Sequence, residues 1–441
     1  MDENKQLYDL CVSVLERNKR GNHTQPASGF YPHQWLWDSC FIAIGLRHTD
    51  IERAKLEIES LLEGQWANGM VPHIIFDNGK AWKLDRNMWK SWVSPFSPDT
   101  LNTSGITQPP MIAEAVWRVG EKMPKAERIQ WFKKILPALI RHHEWLYNER
   151  DPHHEGLVLQ IHPYETGLDS TPPWVKQLHE HSKPWWIDAI ELLKLDKAVN
   201  IIRRDTRHAP PGQRMTNIDA LLYWNAIRRF RKKSWDINKI LHRTLFCIED
   251  VSFNSILTRA NKRLELIAKT SRVKLPEHLV LSINKTVNAL DALWDESTDQ
   301  FYSRDFITHE LLKEPTVAGL LPIYANGVAK NKVQKLVDLM RDHRQFWTHH
   351  PIPSVPLTSS YFDAHRYWQG PTWVNTNWLI IDGLNRHGHN ELAKELKEKT
   401  IEMVKKSGVF EYYSPLDGKP LGASDFSWTA ALVIDLLTED K

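Results

Sequence analysis

Apolar residues return every three or four positions in segment after segment of this chain, and strand-like alternation is scarce. The stretch 52–66, ERAKLEIESLLEGQW, sets Ala54, Leu56, Ile58, Leu61 and Leu62 among charged residues, the pattern of a helix with one buried face. The same texture fills 111–120, 128–150, 218–233, 274–294, 331–340, 373–386, 390–406 and 426–437, whereas only short pieces such as 156–161 alternate. Such a pattern argues against a sheet-based core and predicts an all-α chain. Two connections echo each other, GQWANGMVPHI (64–74) and PTVAGLLPIYANG (315–327). Similar turns recurring between helix pairs suggest a helical-hairpin array. A total of about twelve helices would close six hairpins into an (α/α)6 barrel with long active-site loops. Length alone would allow two or three domains, but no Pro/Gly/Ser linker divides the chain, so a single domain over 1–441 is expected. The segment 75–105 breaks the periodicity and mixes Trp and Phe with Asn and Pro. A connection this long without structure of its own reads as a lid over the barrel mouth.

Charge and composition narrow the partners. A net charge of +3 is too small to imply a polyanion, and RRFRKK (228–233) reads as a solvated helix end rather than a nucleic-acid contact. No uncharged apolar run approaches the ~18 residues of a membrane span. The start, MDENKQLYDL, carries acids where a secretory signal carries bases, so a cytoplasmic protein is expected. Cys11, Cys40 and Cys247 have no metal or redox spacing, which fits reduced, buried thiols. The 21 histidines include the pairs His142–His143, His153–His154 and His349–His350 but no HExxH. Adjacent histidines on a helix point apart, so no metal is expected. With no phosphate-cradling Gly loop and no GxSxG elbow, no cofactor is expected either. The partner anticipated is a small sugar molecule, and association of copies remains open.

The outlying number is 20 tryptophans. Trp35, Trp37, Trp66, Trp82, Trp89, Trp92, Trp174, Trp185, Trp186, Trp347, Trp368 and Trp373 cluster where periodicity is poorest, many beside Gly, Pro, His, Asn and Gln. That composition suits a pocket with apolar walls and polar tips, whose flat rings would cover the C–H faces of sugars. FYPHQWLWDS (30–39) and RYWQGPTWVNTNW (366–378) alternate rings with amides and acids in this way. Packing between helices would use the same residues.

Two carboxylate segments fall in different halves of the chain. HPYETGLDSTPPW (162–174) offers Glu165 and Asp169 in a stretch whose Gly and Pro discourage a helix. An acid in such a loop ordinarily caps a neighbouring helix, but Tyr164 and Trp174 could keep Asp169 partly desolvated. Desolvation raises a carboxyl pKa, as a general acid at neutral pH requires. GVFEYYSPLDGKPLGASDFSWTAA (408–431) holds Glu411 directly before Tyr412 and Tyr413, whose hydroxyls could orient it. Asp417 suits the Asp-Gly turn and Asp425 a helix cap, which leaves Glu411 without a structural duty. Two carboxylates facing across an aromatic pocket are what glycosidic-bond hydrolysis needs.

Taken in order, FYPHQWLWDS, GQWANGMVPH, TQPP, HPYETGLDSTPPW, RRDTRH, RYWQGPTWVNTNW and FEYYSPLDG…FSWTAA resemble glycoside hydrolase family 63, and within it the short branch of mannosylglycerate and glucosylglycerate hydrolases. The resemblance runs from Tyr31 to Ala431 and implies an (α/α)6 barrel and an inverting α-glycosidase. It implies Asp169 as general acid and Glu411 as general base. It implies sugar contacts at Tyr31, Trp35, Trp37, Asp38, Gln108, Tyr367, Trp368, Gln369, Gly370 and Trp373. The RRD segment matches a region that meets a glycerate carboxylate, so Arg203 or Arg204 is the expected cation; a guanidinium can pair such a group bidentately. Tyr164, Thr166, Leu168 and Ser170–Thr171 depart from the family pattern on the leaving-group side. The rival reading is an α-glucosidase or trehalase-like hydrolase of a neutral disaccharide. A terpene-cyclase-like barrel would need a DxDD motif that is absent, and a sugar-binding protein without activity would have no use for both acids.

Overall fold

The computed structural model describes residues 3–438 apart from Ser182, Ile202, Arg204, Arg243 and Leu245. Helix dominates, and the few strands are short two-stranded pairs. None of the described helices is long and apolar enough to cross a membrane. At the centre the helix Leu36–Leu46 is buried on every side. Burial all round, with Asp38 and Ser39 the polar exceptions, is why periodicity misses it: a helix surrounded by protein has no solvent-facing polar stripe to reveal its pitch. Gly45 lets it lie directly on the helix Ser427–Thr438, since a Cβ there would fall 2.4 Å from the Ala431 backbone.

Contacts pass from Leu36–Leu46 to Ile112–Glu121, then to Val251–Ser271, the 3-10 helix Val317–Tyr324, Val374–Arg386 and Ser427–Thr438, and so back to Leu36–Leu46. Against these elements pack Glu3–Arg17, Ile51–Glu63, Lys125–Arg150, Glu277–Ala289, Lys330–Arg341 and Asn390–Ser407. Most of these helices match segments that periodicity anticipates, with ends displaced by a few residues; Glu3–Arg17, with Leu7, Cys11, Val14 and Leu15 buried, does not. Their starts follow side-chain chemistry. Asp50 accepts from the Arg53 amide, Asp250 from those of Ser252 and Phe253, and Thr216 forms a capping box with Asp219, each satisfying amides that the first turn leaves open.

Four expectations differ from the structure. The 315–327 segment is not a turn between hairpins but carries the buried helix Val317–Tyr324. The 156–161 segment forms no strand, and pairs only through a bridge between Gln160 and Ile248. It is held instead by the helix Val251–Ser271, where Asn254 donates to the Val158 carbonyl (3.0 Å) and accepts from its amide (2.9 Å). That helix escapes periodicity because Ser252, Asn254, Ser255, Thr258 and Asn261 are polar and buried. Thirdly, 75–105 has structure of its own, with the helix Lys83–Trp89 and 3-10 turns at Lys80–Trp82 and Ser91–Val93. Asp425 does not begin the final helix; it pairs with Arg17 at 2.9 Å. All three cysteines are buried and unbridged.

Candidate active site

Asp169 sits just beyond a tightly made turn. The His162 ring accepts from the Tyr164 amide (3.1 Å), opening the 3-10 turn Pro163–Thr166. Gly167 then takes φ +73°, and a Cβ there would lie 2.6 Å from the Trp37 ring; only glycine combines that backbone with that approach. Glu165 has a structural duty: it is buried, takes 2.7 and 3.1 Å bonds from Arg150, and accepts from the Ile161 amide at 2.7 Å. It therefore locks the loop, while Asp169 four residues on borders the cavity. The Tyr223 hydroxyl donates to the Asp169 carbonyl, and Tyr367 donates to Oδ2 at 3.2 Å. Burial pushes the Asp169 carboxyl up to about 8, and neighbouring Glu411 adds to the rise; the Tyr367 hydroxyl and Arg214 oppose it.

Glu411 lies in the strand Phe410–Tyr413, paired antiparallel with Pro420–Ser424. The hairpin bends there because Gly422 takes φ +70° and leaves room for the Glu411 carboxylate, which a Cβ would approach to 2.4 Å. The Ala423 amide donates to Oε2 at 3.0 Å. Arg214 pairs with both oxygens at 3.3 and 3.2 Å. Its other terminal nitrogen donates to the Tyr31 hydroxyl (2.6 Å), which itself donates to Oε1 at 2.9 Å. The orienting hydroxyl thus comes from Tyr31 and not from the sequence neighbours: Tyr412 donates to the Gln213 carbonyl and Tyr413 to that of Gly408. Arg214 also stacks over the Tyr367 ring, 4.1 Å from its centroid, and so touches the partners of both acids.

Both acids open onto one cavity of about 500 Å³. Of the residues anticipated as sugar contacts, Tyr31, Trp35, Trp37, Asp38, Gln108, Tyr367 and Trp368 line it. Asp38 is buried, and desolvation, with Glu411 and Asp169 near, holds its carboxyl well above the usual range. The indole N–H of Trp35 and Nε2 of His73 are buried without a protein partner and belong to cavity-lining side chains, so each can serve a ligand hydroxyl. From the 75–105 segment come Phe76, Trp82, Leu84, Asp85, Met88 and Trp89, with Arg231 fastening the segment through the Met88 carbonyl at 3.0 Å.

Comparisons with known proteins show the family. Residues 31–429 match the family described as mannosylglycerate hydrolase MGH1-like glycoside hydrolase domain. A mannosylglycerate hydrolase of Thermus thermophilus is 35% identical, the match covering 96% of this chain and 99% of that protein. The chain belongs to this glycoside hydrolase family. A glucosylglycerate hydrolase of Mycolicibacterium hassiacum is 31% identical, with 98% of each chain covered. A crystal structure of the family 63 mannosylglycerate hydrolase from Thermus thermophilus, in complex with Tris and D-glycerate, matches with a TM-score of 0.87, 35% identity, and 97% and 99% coverage.

Within this hydrolase the other anticipated residues stand apart from the cavity surface. Trp373 is fully buried and stacks on Trp368 with centroids 3.7 Å apart. Gln369 donates to the Ser170 carbonyl at 2.9 Å, tying the 366–378 loop to the acid's loop. Gly370 packs on the Asp363 carbonyl, which a Cβ would meet at 2.2 Å. They back the wall that Tyr367 and Trp368 present. Arg203 lines the cavity, but its nitrogens serve Asp205 (3.0 Å), the Met215 carbonyl and Asn217 (2.9 Å each); Arg204 lies outside the described residues. Arg214, which sequence reasoning missed, pairs with Glu411 and lies over the ring of Tyr367, the hydroxyl partner of Asp169. Its only signal is a lone Arg in the Pro-Gly-rich run before the Thr216 cap, and nothing local tells that Arg from a solvated one.

Proposed function

We propose that this glycoside hydrolase cleaves α-linked glucosylglycerate or mannosylglycerate to free sugar and glycerate with inversion. Asp169 carries its proton at neutral pH and gives it to the glycosidic oxygen as the C–O bond breaks. Glu411 takes a proton from a water that attacks the anomeric carbon from the opposite face, through an oxocarbenium-like state. The observation that carries the reading is the unequal pair itself: one carboxyl desolvated and raised to about 8, the other paired to Arg214, both on one aromatic-walled cavity. Trp37, Asp38 and Gln108 are read as sugar contacts, and Arg203, or Arg204, as the cation that meets the glycerate carboxylate. The closed succession of inner and outer helices supports an (α/α)6 barrel, and the cavity-facing residues of 75–105 support a lid that shields the bound sugar. Hydrogen exchange with and without substrate tests the lid; equal protection of 75–105 in both states would count against it.

One observation favours a neutral disaccharide instead. Arg203 and Arg214 already answer Asp205 and Glu411, so an added carboxylate must share a guanidinium that is in use. Incubation with glucosylglycerate, mannosylglycerate, trehalose and kojibiose, followed by NMR of the first anomer released, decides between the two. Turnover confined to the glycerate compounds, with the β-anomer first, is expected; preference for a neutral disaccharide sinks the aglycone, and an α-anomer sinks the mechanism.

A further inference from the structure

Away from the sugar cavity, two loops far apart in sequence bring three metal-competent side chains together. The first follows the helix Lys125–Arg150. Asp151 accepts there from the amides of Glu155 and Gly156 (2.9 Å each), which fixes a turn presenting His153 and Glu155. The second follows Arg304–Asp305, where Asp305 accepts from the amides of Ile307 and Thr308 (2.8 Å each), and His309 closes the turn. Donor atoms of His153, Glu155 and His309 lie within 4.8 Å of one another, and all three side chains are exposed. The His153 ring is steadied by stacking on Phe306, centroids 4.7 Å apart.

We propose that His153, Glu155 and His309 form a site for a divalent transition ion of the zinc class, with water completing the coordination. Two imidazoles and one carboxylate suit Zn²⁺, whereas Mg²⁺ and Ca²⁺ call for all-oxygen sets. Tetrahedral bonds of ~2.1 Å put ligand atoms about 3.4 Å apart, so the three side chains need draw in by at most ~1.4 Å, a shift that rotation at exposed positions provides. The surroundings favour a cation. Glu155 and Glu249 share Arg304, which contacts Glu155 at 2.6 Å and Glu249 at 3.2 Å. Glu155 thus has its second oxygen for the ion while Arg304 keeps Glu249. None of the three ligands lines the sugar cavity. The site therefore acts as a staple between two loops, and the second of these reaches the acid's side of the molecule, since Gln177 on the helix Pro172–His181 donates to Asp305.

The test uses the full chain stripped with EDTA and titrated with ZnCl₂ by calorimetry, with CoCl₂ absorption reporting the ligand field. One ion per chain is expected, bound at least tenfold more weakly by His153→Ala or His309→Ala, and unchanged in His154→Ala, whose ring lies outside the cluster. Hydrogen exchange at 151–156 and 305–311 should slow with zinc, and hydrolysis by the metal-free variants should match the wild type. Binding that survives undiminished in the double variant His153→Ala/His309→Ala would place the ion elsewhere and overturn the proposal. So would no binding below about 1 mM, or equal competition by MgCl₂.

Discussion

Asp169 and Glu411 border the same cavity under opposite conditions. Around Glu411 three donors converge: Arg214, the Tyr31 hydroxyl and the Ala423 amide. Around Asp169 the Tyr367 hydroxyl at 3.2 Å is the side-chain donor among the described residues, and burial dominates. Donors favour a carboxylate, and desolvation favours a carboxylic acid. In the proposed mechanism these different surroundings make one carboxyl the proton donor and the other the acceptor, the arrangement that acid–base catalysis at neutral pH requires. Arg214 joins the two halves, pairing with Glu411 and lying over the ring of Tyr367.

Removing either acid gives the largest expected effect, and the leaving group tells the two apart. Asp169→Asn and Glu411→Gln should each lose about two to four powers of ten in kcat on glucosylglycerate. A dinitrophenyl α-glucoside needs no proton at its leaving oxygen. Asp169→Asn should recover most of its activity on that compound, and Glu411→Gln should not. Recovery in both variants, or in Glu411→Gln alone, would reverse or dissolve the assignment.

Glu165 sharpens the contrast from within one loop. It lies four residues before Asp169 but is spent on Arg150 and the Ile161 amide. Breaking a buried pair costs about 3–5 kcal/mol, so Glu165→Gln should lower the unfolding free energy by an amount of that order in denaturant titrations. The variant should keep the wild-type pH dependence at temperatures where it remains folded. A pH profile displaced as far as by changing an Asp169 contact would mean that Glu165 takes part in the proton transfer.

How much of this was legible in the sequence follows from where polarity lies. Segments with one wet face, such as 52–66 and 390–406, announce their pitch. The helix Leu36–Leu46, buried all round, and Val251–Ser271, with its buried Asn254 and Asn261, do not. At the site, Asp169 and Glu411 were readable as candidates in Gly/Pro/aromatic runs, Glu411 because no cap or turn claims it and Asp169 because of the rings beside it, although an acid in such a loop ordinarily caps a helix. Their partners were not. Tyr31 and Arg214 reach Glu411 from 380 and 197 positions away, and only the fold reveals that they outrank the adjacent Tyr412. Arg203 was singled out by its motif, and its bonds to Asp205, Met215 and Asn217 are equally invisible in the sequence.

Those bonds set the next prediction. If Arg203 holds the glycerate carboxylate, Arg203→Ala removes a charge-assisted contact of about 1.5–3 kcal/mol. kcat/KM on glucosylglycerate should then fall by about one to two powers of ten, while an uncharged α-glucoside is turned over as before. Equal losses on both substrates would mean that Arg203 acts only by bracing Asp205, and the neutral-disaccharide reading would gain. Because Arg204 shares the motif, the same pair of measurements on Arg204→Ala completes the comparison.

The smallest expected effect is the most direct test of how Asp169 is set. The proposed general acid must be protonated, so kcat/KM should hold below its pKa and decline as pH rises through about 8. The Tyr367 hydroxyl stabilises the charged form, and without it that form is harder to reach. Tyr367→Phe should therefore move the basic limb to higher pH and cost only a few-fold in rate, while keeping the ring over which Arg214 stacks. kcat/KM reports the free enzyme, so the limb is read from profiles at substrate concentrations well below KM. A limb that stays in place would show that another group controls the basic side. A limb that moves to lower pH would show that the hydroxyl favours the protonated acid, and the contrast between the two carboxylates would then need a different physical origin.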